Sequence, residues 1–525
     1  MRTLKVDAAN GDDAASGLCA TASSCTPWKT LAHAAKSAQP GDLVTIAGGT
    51  WSEQVDFAVD GTADGPIVFA AAAGETVIIN ATWTLKARSW LTFRGLTFDS
   101  PRADGWIRSE GANQHITFVG NAFDSHAPNQ TNGEFIGLSL TGSNATLCGN
   151  TFGSWLGDQV SANAIDGLLV ENNDWSQASS NHALLVVVGR NVVIRGNAFR
   201  NPWQRVIHIT DRSDDNQTQD VLVENNTFID SDWVQGAPHP SLEEQSLGGN
   251  EVVRFLGARG IFRNNLLVGN HEGNNWPCHG ILAFTTFHST AGIDTHRYTQ
   301  FRVYGNTFDS NKTTSIIFYQ GIGGVLDDNH FKNNVVNRPE KFGVSVCGPG
   351  IPWQGYRFER NVLPGDSLHF PDTATSGSAV AVMEQSNPMT FLRNLGEAPV
   401  FVNEQFGATV AADFTTYTLA RLPDAFAAYR LAASSVGRGQ AAPLTTVRGA
   451  AVQSTTLQVD DALWFSAGFG VTTGDVLRIG ATVTARVTAR DVDARTLTLD
   501  RPVTVSVGDP VTLDGVPADV GVWTP

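Results

Sequence analysis

Short apolar runs that end in asparagine recur along the chain. They read "HITFVGNAF", "NATLCGNTF", "GLLVENNDW", "NVVIRGNAF", "VLVENNTF", "GIFRNNLL" and "FRVYGNTF". The runs are rich in β-branched residues, too brief for helices and punctuated by glycine and asparagine, which predicts strands. The last asparagines of successive units are Asn121, Asn150, Asn173, Asn197, Asn226, Asn265, Asn306, Asn334 and Asn361.

The spacing of these asparagines indicates a solenoid. Successive gaps are 29, 23, 24, 29, 39, 41, 28 and 27 residues. A floor of 23 residues with irregular excess is typical of stacked coils from which loops of varied length emerge. Strands stacked coil on coil are parallel, and crossovers between parallel strands are nearly always right-handed. The pattern therefore predicts an all-β fold, a right-handed parallel β-helix.

Each asparagine is expected at a tight bend between strands. There it tolerates left-handed backbone angles, and its amide can bond the same amide one coil above. An aromatic residue usually follows two positions later and is expected to stack inside the solenoid. This file consists of Phe123, Phe152, Trp175, Phe199, Phe228 and Phe308.

The segments that flank the repeat have a different pattern. Near the start, helix spacing at Leu31, Ala34 and Ala35 before a Pro-Gly stop predicts a short helix that covers the first coil. The repeat fades near residue 400, and alternating residues from about 451 predict antiparallel strands. We expect an N-terminal cap (1–45), a parallel β-helix (46–400), an irregular linker or C-terminal cap (401–450) and a small antiparallel β-barrel or sandwich (451–525).

The amino-acid composition favours some fold classes and binding partners over others. The chain has 525 residues, 52 glycines and only 16% charged residues, which suits a β-solenoid better than helical domains. Its net charge of −16 argues against nucleic acid. No stretch approaches the roughly 18 apolar residues of a membrane span. We therefore expect a monomer without nucleic-acid or membrane partners.

The cysteines and the start of the chain bear on its compartment. Cys19 and Cys25 could form a small disulfide, which would suggest an oxidising environment, and Cys148 is expected to be a buried thiol. The opening "MRTLKVDAANGDDAASG" shows no charged-then-apolar leader, so a secretion signal is expected to have been removed or never present. We expect a secreted or periplasmic protein.

The chain resembles a known superfamily over nearly its whole length. The opening "VDAANGDDAASG" and "PWKTLAHAAKSAQPGDLVTIAGGTW", the asparagine-phenylalanine coils and the closing "RTLTLDRPVTVSVGDPVTLDGVPADVG" resemble bacterial secreted right-handed β-helix proteins of the pectate lyase-like superfamily. The resemblance implies enzymes that act on polysaccharides, among them lyases, hydrolases and epimerases of uronate polymers. It therefore predicts the architecture and leaves the reaction open.

One row of strand positions could carry chemistry. The segments "FIGLSLTG", "HALLVVVG", "RVIHITD" and "EVVRFLG" align before the bends. Because strand side chains alternate between faces, the apolar residues are expected to point inward. These are Leu138, Leu140, Leu185, Val187, Ile207, Ile209, Val253 and Phe255. The alternate positions, expected to point outward at one level, are Ser139, Val186, His208 and Arg254, with Arg205 and Glu251 at the strand starts.

The longest loops flank this row, and such loops usually serve binding. Trp233 and Trp276 could stack on sugar faces or hold their own loops. The acidic loop with Asp211, Asp214 and Asp215 could supply oxygen ligands to calcium or be solvated surface. The residues expected to contact substrate are Arg212, Glu251, Trp233, Trp276, His182, His279 and Glu244.

Arginine is concentrated in the same region, where eight arginines and no lysine lie between residues 190 and 263. Arginine binds carboxylates bidentately, so the segment favours an acidic polysaccharide such as a uronate polymer. Pairing with nearby Asp and Glu is the alternative. The residues are Arg190, Arg195, Arg200, Arg205, Arg212, Arg254, Arg259 and Arg263.

Lyase chemistry fits these residue types. β-Elimination needs a positive group to neutralise the uronate carboxylate and a base to remove the C5 proton. We assign His208 as the base and Arg254, with Arg205, as the carboxylate clamp. A structural role for His208 is the alternative.

Two other functions stay open. A glycoside hydrolase would need two facing carboxylates, one of them protonated. The candidates for such a pair are Asp211, Asp232, Glu243, Glu244 and Glu251. The third function is a non-catalytic glycan-binding or cell-surface solenoid.

Overall fold

The computed structural model describes most of the chain, in two compact units. As far as its residues are described, the first unit comprises Met1–Gly189 and Phe199–His208, and the second comprises Arg190–Ala198, Ile209–Gly236 and Leu242–Pro525. The described residues are 2–19, 24–99, 105–124, 136–153, 158–178, 184–202, 206–210, 218–229, 251–270, 280–285, 299–311, 314–319, 327–339, 342–347, 355–364, 368–369, 390–406, 409 and 417–525.

The first unit is built from parallel strands. They are β1 (Thr3–Val6), β2 (Leu43–Ile46), β3 (Gly49–Trp51), β4 (Val55–Phe57), β5 (Ile67–Ala71), β6 (Val77–Ile79), β7 (Trp83–Lys86), β8 (Ser89–Arg94), β9 (Thr97–Asp99), β10 (Ile107–Glu110), β11 (Gln114–Val119), β12 (Ala122–Asp124), β13 (Ile136–Cys148), β14 (Thr151–Phe152), β15 (Asp158–Glu171) and β16 (Asp174–Ala178). Three further strands contain residues of both units: β17 (Leu185–Arg195), β18 (Ala198–Pro202) and β19 (Ile207–Ile209).

The second unit continues with the same kind of strand and ends in a different one. The parallel strands are β20 (Gln219–Glu224), β21 (Thr227–Ile229), β22 (Val253–Phe255), β23 (Ala258–Arg263), β24 (Leu266–Val268), β25 (Gly280–Thr285), β26 (Arg302–Tyr304), β27 (Thr307–Asp309), β28 (Thr314–Tyr319), β29 (Asn329–Lys332), β30 (Val335–Asn337), β31 (Val344–Cys347), β32 (Tyr356–Glu359), β33 (Leu368–His369) and β34 (Thr390–Leu392). The C-terminal strands are β35 (Thr445–Thr446), β36 (Ala451–Gln458), β37 (Val476–Ile479), β38 (Val483–Asp491), β39 (Thr496–Val505) and β40 (Pro510–Leu513).

Strand pairing within each unit defines the coil. Each strand pairs in parallel with a strand one coil away, as Leu43 with Val68 in the first unit and Phe262 with Val303 in the second. The six C-terminal strands instead pair antiparallel, in the order β35-β40-β37-β38-β39-β36. The predicted fold class, a right-handed parallel β-helix with an N-terminal helix and a small C-terminal antiparallel sheet, is confirmed.

Helices are short in the described part of the chain. They are the α-helices α1 (Leu31–Ser37) and α2 (Leu422–Ala428) and the 3-10 helices Leu419–Arg421 and Ala462–Trp464. Helix α1 buries Leu31, Ala34 and Ala35, as its spacing predicts, and the Thr30 hydroxyl caps it by accepting from His33 N–H at 3.1 Å. No helix among the described residues has the length and apolar character needed to cross a bilayer.

The predicted asparagine ladder is confirmed inside both units. In the second, Asn226 Nδ2 donates to Asn265 Oδ1 at 3.0 Å and Asn265 Nδ2 donates to Asn306 Oδ1 at 3.1 Å. Each Oδ1 also accepts the backbone N–H of the previous asparagine, such as Asn226 N at 3.1 Å. The ladder asparagines from Asn121 to Asn361 are all buried, so their amides satisfy polar groups that no water reaches. Asn394 adds a rung that the repeat pattern missed.

The left-handed bend lies one residue before the position expected for it. The ladder asparagines keep ordinary angles, and the preceding glycine, asparagine or arginine has positive φ, for example 62° at Gly120 and 58° at Asn225. Expecting the ladder asparagine itself to be left-handed was therefore wrong. In the dipeptides Gly-Asn and Asn-Asn, the first residue adopts the left-handed backbone conformation of the turn. The second residue contributes its side-chain amide to the ladder.

The aromatic file lies in the core. In the first unit the ring of Phe123 stacks on Phe152 at 4.9 Å between centroids, Phe152 on Trp175 at 3.9 Å, and Trp175 on Phe199 at 5.4 Å. All four side chains are at most 1% exposed. Phe228 and Phe308 are likewise buried in the second unit. Burial of such rings supplies a large share of the apolar stabilisation of each coil.

The described residues include the three cysteines for which the sequence predicts a disulfide or a thiol. Cys19 and Cys25 form the expected disulfide. Cys148 carries a reduced thiol, as expected, but is half-buried rather than buried. Its strand β13 alternates, and Cys148 takes a position between the buried ones.

Candidate functional site

The predicted outward row alternates in burial at two of its four positions, Ser139 and His208, which are half-buried. All eight residues expected to point inward are at most 2% exposed. His208 is half-buried between buried neighbours, whereas Arg254 is 9% exposed between Val253 at 0% and Phe255 at 1%. Val186 departs from the prediction, because it is 2% exposed although it occupies an outward position.

The register positions that follow Arg254 on the next three coils hold uncharged residues. In the second unit Arg254 pairs with Ala283 one coil on, Ala283 with Ile317, and Ile317 with Ser345. Glu251, at the start of the same segment, is 6% exposed. His208 closes the first unit, so its proposed partnership with Arg254 stays a prediction.

Most other predicted site residues lie outside the described residues. These are Arg205, Arg212, Trp233, Trp276, His182, His279, Glu244, Asp211, Asp214 and Asp215. The expected calcium site therefore stays a prediction. Within the described ranges, no three histidine, cysteine, aspartate or glutamate side chains cluster closely enough to hold a metal ion.

Several members of the arginine-rich segment serve structure. Arg200 pairs with Asp174 at 2.6 Å and Arg259 with Asp220 at 2.6 Å. Arg263 pairs with Glu224, also at 2.6 Å. Structural pairing, the alternative to substrate binding, therefore holds for these three, and the arginine count alone is weak support for an acidic substrate.

The outer face of the strands before the asparagines holds the C-terminal antiparallel sheet of the second unit. Arg490 donates to Asp220 at 2.7 Å, and Asn264 Oδ1 accepts Trp523 N–H at 2.8 Å. Gly305 has φ 65°, and a Cβ there would lie 2.1 Å from the Trp523 ring. The close approach of this ring therefore requires glycine.

A charged cleft of about 550 Å³ lies between these strands and the C-terminal sheet. Its floor carries Arg302, His330 and Arg357, which occupy paired positions of β26, β29 and β32. Neighbouring strands are ~4.8 Å apart, so the three groups form a row. The opposite wall includes Asp461 and Arg495.

Two carboxylates hold the first two members of the row. Asp461 accepts from Arg302 Nε at 2.7 Å, and its Oδ2 lies 3.5 Å from His330 Nδ1. Asp328 lies 3.1 Å from Arg302 Nη2 and 3.2 Å from His330 Nε2. Both ring nitrogens of His330 therefore face carboxylates.

The same contacts determine the charge of the carboxylates. Burial raises the pKa of Asp461, but the charge of Arg302 and the hydrogen bond from His330 outweigh burial and hold the pKa well below its usual range. Burial also raises the pKa of Asp328, but the hydrogen bond from His330 and the charge of Arg302 outweigh burial and lower the pKa. Both groups are therefore ionised at neutral pH, and neither is suited to act as a general acid.

A lysine on the floor of the cleft uses all of its hydrogen-bond donors within the protein. Lys332 Nζ donates to Pro443 O at 3.0 Å and Leu444 O at 3.1 Å, and it lies 3.0 Å from Glu359 Oε2. Burial lowers the pKa of Lys332, and the charge of Glu359 opposes this only in part. Its three N–H bonds are all used, so Lys332 is an anchor of the C-terminal sheet.

Arg357 and Arg495 differ from the other cations of the cleft. The only ion pair of Arg357 to a described residue is with Glu359 on its own strand, at 3.2 Å, and its side chain is 43% exposed. Its Nε is buried and has no partner in the described part of the chain. Arg495 is exposed, and its guanidinium has no hydrogen bond or ion pair with a described residue. Unused donors therefore reach the cleft from both walls.

The sequence contains a signal for this cleft that lies outside the recurring motifs. The outward position that holds Val193, Leu222 and Ile261 on three coils changes to Arg302 and His330 on the next two. A switch from apolar to basic residues at one register position marks the end of the apolar contact and the start of a polar cleft.

No family model matches the chain, and no curated protein matches it. Among solved structures it is similar to the PL6 family alginate lyase AlyGC, at 15% identity and TM-score 0.42, over 71% of this chain and 53% of that one. The chain thus spans about half the length of that lyase. It is also similar to pectate lyase Pel9A, at 13% identity and TM-score 0.34, over 69% of this chain and 80% of that one.

A third similar structure has a different activity in its name. It is the GH136 lacto-N-biosidase from Eubacterium ramulus, at 12% identity and TM-score 0.32, over 75% of this chain and 67% of that one. The strand pairing, rather than these remote similarities, defines the chain as a parallel β-helix protein. Because this fold hosts several reactions, activity has to be inferred from the side chains.

Proposed function

We propose that the protein is a polysaccharide-degrading enzyme, a lyase that cleaves a uronate-containing polysaccharide by β-elimination. One observation supports this proposal: the imidazole of His208, which is half-buried, and the guanidinium of Arg254, which is 9% exposed, each alternate along their strand with apolar residues that are at most 1% exposed. A parallel β-helix offers such positions as a rigid surface for an extended polymer.

In this mechanism Arg254, with Arg205, binds the uronate carboxylate through its fork of N–H donors. Neutralising that charge acidifies the C5 proton, because the developing negative charge spreads onto the carboxylate. His208 then takes the proton, the C4–C5 double bond forms and the C4–O bond breaks. The proton held by His208 passes to the departing oxygen, so charge and atoms balance.

The described residues offer no carboxyl with the raised pKa that a glycoside hydrolase needs. A hydrolase needs one carboxyl with a raised pKa to protonate the leaving oxygen. In the described part, every carboxyl whose pKa departs from its usual value has a lowered pKa. These groups are Asp7, Asp13, Asp328, Asp461 and Asp500.

The test is to incubate the protein with alginate, polygalacturonate and neutral polysaccharides while recording ultraviolet absorbance and reducing ends together. A lyase produces both signals on an acidic polymer, because elimination creates a conjugated double bond. Reducing ends without absorbance would overturn the proposal in favour of a hydrolase, and no product from any polymer would favour a binding protein. Dialysis against a chelator before the assay tests whether the activity depends on calcium, for which the acidic loop could supply ligands.

Substitution of His208 tests whether the activity depends on the predicted outward row. We expect His208→Gln to lower kcat by a factor of about 10² to 10⁴, the range for a lost general base. The matched control is His115→Gln, a histidine that stacks on Trp90 at 3.6 Å in the first unit and has no assigned role. Equal activity of both variants would remove His208 from the mechanism.

A further inference from the structure

The charged cleft contains an unsatisfied cation. The Arg357 Nε is buried and has no partner among the described residues, and the group makes a single ion pair, to Glu359. Leaving a charged donor without an acceptor costs about 1–3 kcal/mol or more. A native protein rarely retains such a cost unless a ligand or water supplies the missing acceptor.

Three acidic groups of the cleft, Asp328, Asp461 and Glu359, already pair with other cations. Asp328 and Asp461 are shared between Arg302 and His330, and Glu359 lies closest to Lys332, at 3.0 Å. None of them is available to complete the hydrogen bonding of Arg357. The acceptor that fits Arg357 therefore comes from outside the described residues.

The lining of the cleft suits a polar, carboxylated ligand. Arg495 presents a second uncommitted guanidinium from the opposite wall. Two exposed carboxylates also line the cleft: Asp460, which accepts from the Thr446 hydroxyl, and Asp493. Guanidinium groups bind carboxylates bidentately, whereas carboxylates accept hydrogen bonds from hydroxyl groups. A saccharide acid offers both kinds of partner.

We propose that this cleft is a second binding site for acidic saccharide, separate from the catalytic row. Arg357 and Arg495 hold a uronate carboxylate, and Asp460 and Asp493 accept bonds from sugar hydroxyls. The choice of a uronate as ligand rests on the proposed function. The ion pair between Arg302 and Asp461 and the hydrogen bond from Lys332 to Pro443 O join the two walls and so preorganise the site.

The experiment measures binding of alginate and polygalacturonate hexasaccharides to the full chain carrying His208→Gln, so that turnover does not consume the ligand. Isothermal titration calorimetry gives both affinity and the number of sites. We expect Arg357→Gln and Arg495→Gln each to weaken one binding event roughly tenfold or more, the effect of losing a charged hydrogen bond. Both positions are solvent-accessible, and an unfolding curve verifies that each variant is folded.

The matched control is Arg478→Gln, an exposed arginine of the C-terminal sheet that pairs with Asp514 at 2.8 Å outside the cleft. It removes the same charge from the same sheet and is expected to leave binding unchanged. An equal loss in all three variants, or none in any, would overturn the site. So would equally tight binding of a neutral hexasaccharide.

The two proposals fail in different ways. If the protein binds uronate through Arg357 but produces no ultraviolet signal from any polymer, the lyase proposal is wrong and the proposed binding site in the cleft is supported. If it cleaves polymer while Arg357→Gln and Arg495→Gln bind like the parent, the cleft fails and the lyase proposal stands.

Discussion

Arg263 and Asp475 form a two-pronged ion pair although 212 positions separate them. Arg263 Nη1 donates to Oδ2 at 2.7 Å and Nη2 donates to Oδ1 at 2.6 Å. The same guanidinium binds Glu224 and the Tyr304 hydroxyl, and it is 4% exposed. Burial lowers the pKa of Arg263, but the charges of Asp475 and Glu224 outweigh it and hold the pKa well above its ordinary value. A coil strand and the C-terminal sheet are therefore joined by a buried charge.

Replacing Asp475 by alanine is expected to destabilise the second unit by about 3–5 kcal/mol, because the substitution leaves Arg263 buried with one carboxylate fewer. Denaturant unfolding measures the loss, and limited proteolysis shows whether the C-terminal sheet is released first. The control is Asp514→Ala, which removes an exposed ion pair with Arg478 and is expected to cost about 0–1 kcal/mol. Similar losses in both variants would contradict the anchoring role of Arg263.

The amide ladder predicts a second effect on stability. Asn306→Ala removes a buried side chain that bonds Asn334, Phe262 O and Asn265. We expect a loss of about 2–4 kcal/mol, because several bonds vanish and buried partners are left unsatisfied. Replacing the exposed amide of Gln405 by alanine is expected to change the free energy of unfolding by less than about 0.5 kcal/mol. If Asn306→Ala were equally mild, relaxation or water would have to replace the ladder.

The coil could be predicted from the sequence because its cause is local and repeated. The asparagine at the position of Asn226 recurs from coil to coil, and an aromatic residue at the position of Phe228 recurs in most of them, so one bend predicts the rest. The left-handed turn was misplaced by one residue for the same reason. In "GN" and "NN" both residues favour turns, and only the backbone angles show that Asn225 rather than Asn226 takes the positive φ.

The charged cleft could not be predicted by the same logic. Arg302 and Asp461 are 159 positions apart, and no local pattern relates them. The C-terminal strands show only alternation, which predicts a sheet but not the surface on which the sheet packs. The expected meeting of His208 with Arg254 differs again, since it depends on coil register and stays a prediction.

Acid is expected to weaken the contact between Arg302 and Asp461. The folded-state pKa of Asp461 lies below its unfolded value of about 3.9, so the unfolded chain binds more protons in this range. The stability that this carboxylate contributes is therefore fully present above about pH 5 and is lost as pH falls through the folded pKa. Unfolding free energies measured between about pH 3 and pH 6 should fall less steeply for Asp461→Asn than for the parent.

Asp493→Asn is the control for this pH dependence, because Asp493 is exposed and has no ion pair with a described residue. Its slope is expected to match that of the parent. A parent-like slope in Asp461→Asn as well would mean that acid destabilises the protein through other groups.

Arg254 provides the most direct test of the carboxylate clamp. We expect Arg254→Gln to lower kcat/KM on the preferred uronate polymer by a factor of about 10² to 10³, the usual cost of one lost electrostatic contact to the developing charge. Arg254→Lys should recover part of this loss, because it restores the charge without the bidentate fork. The initial rate of ultraviolet absorbance measures both variants.

Arg259→Gln is the matched control for the clamp. It removes an arginine only five positions along the chain, one that pairs with Asp220 at 2.6 Å and has no assigned catalytic role. This variant is expected to keep the parental rate. If Arg254→Gln folds normally and is as active as Arg259→Gln, the carboxylate is neutralised by another group. If Arg254→Lys is no better than Arg254→Gln, the fork geometry matters more than the charge.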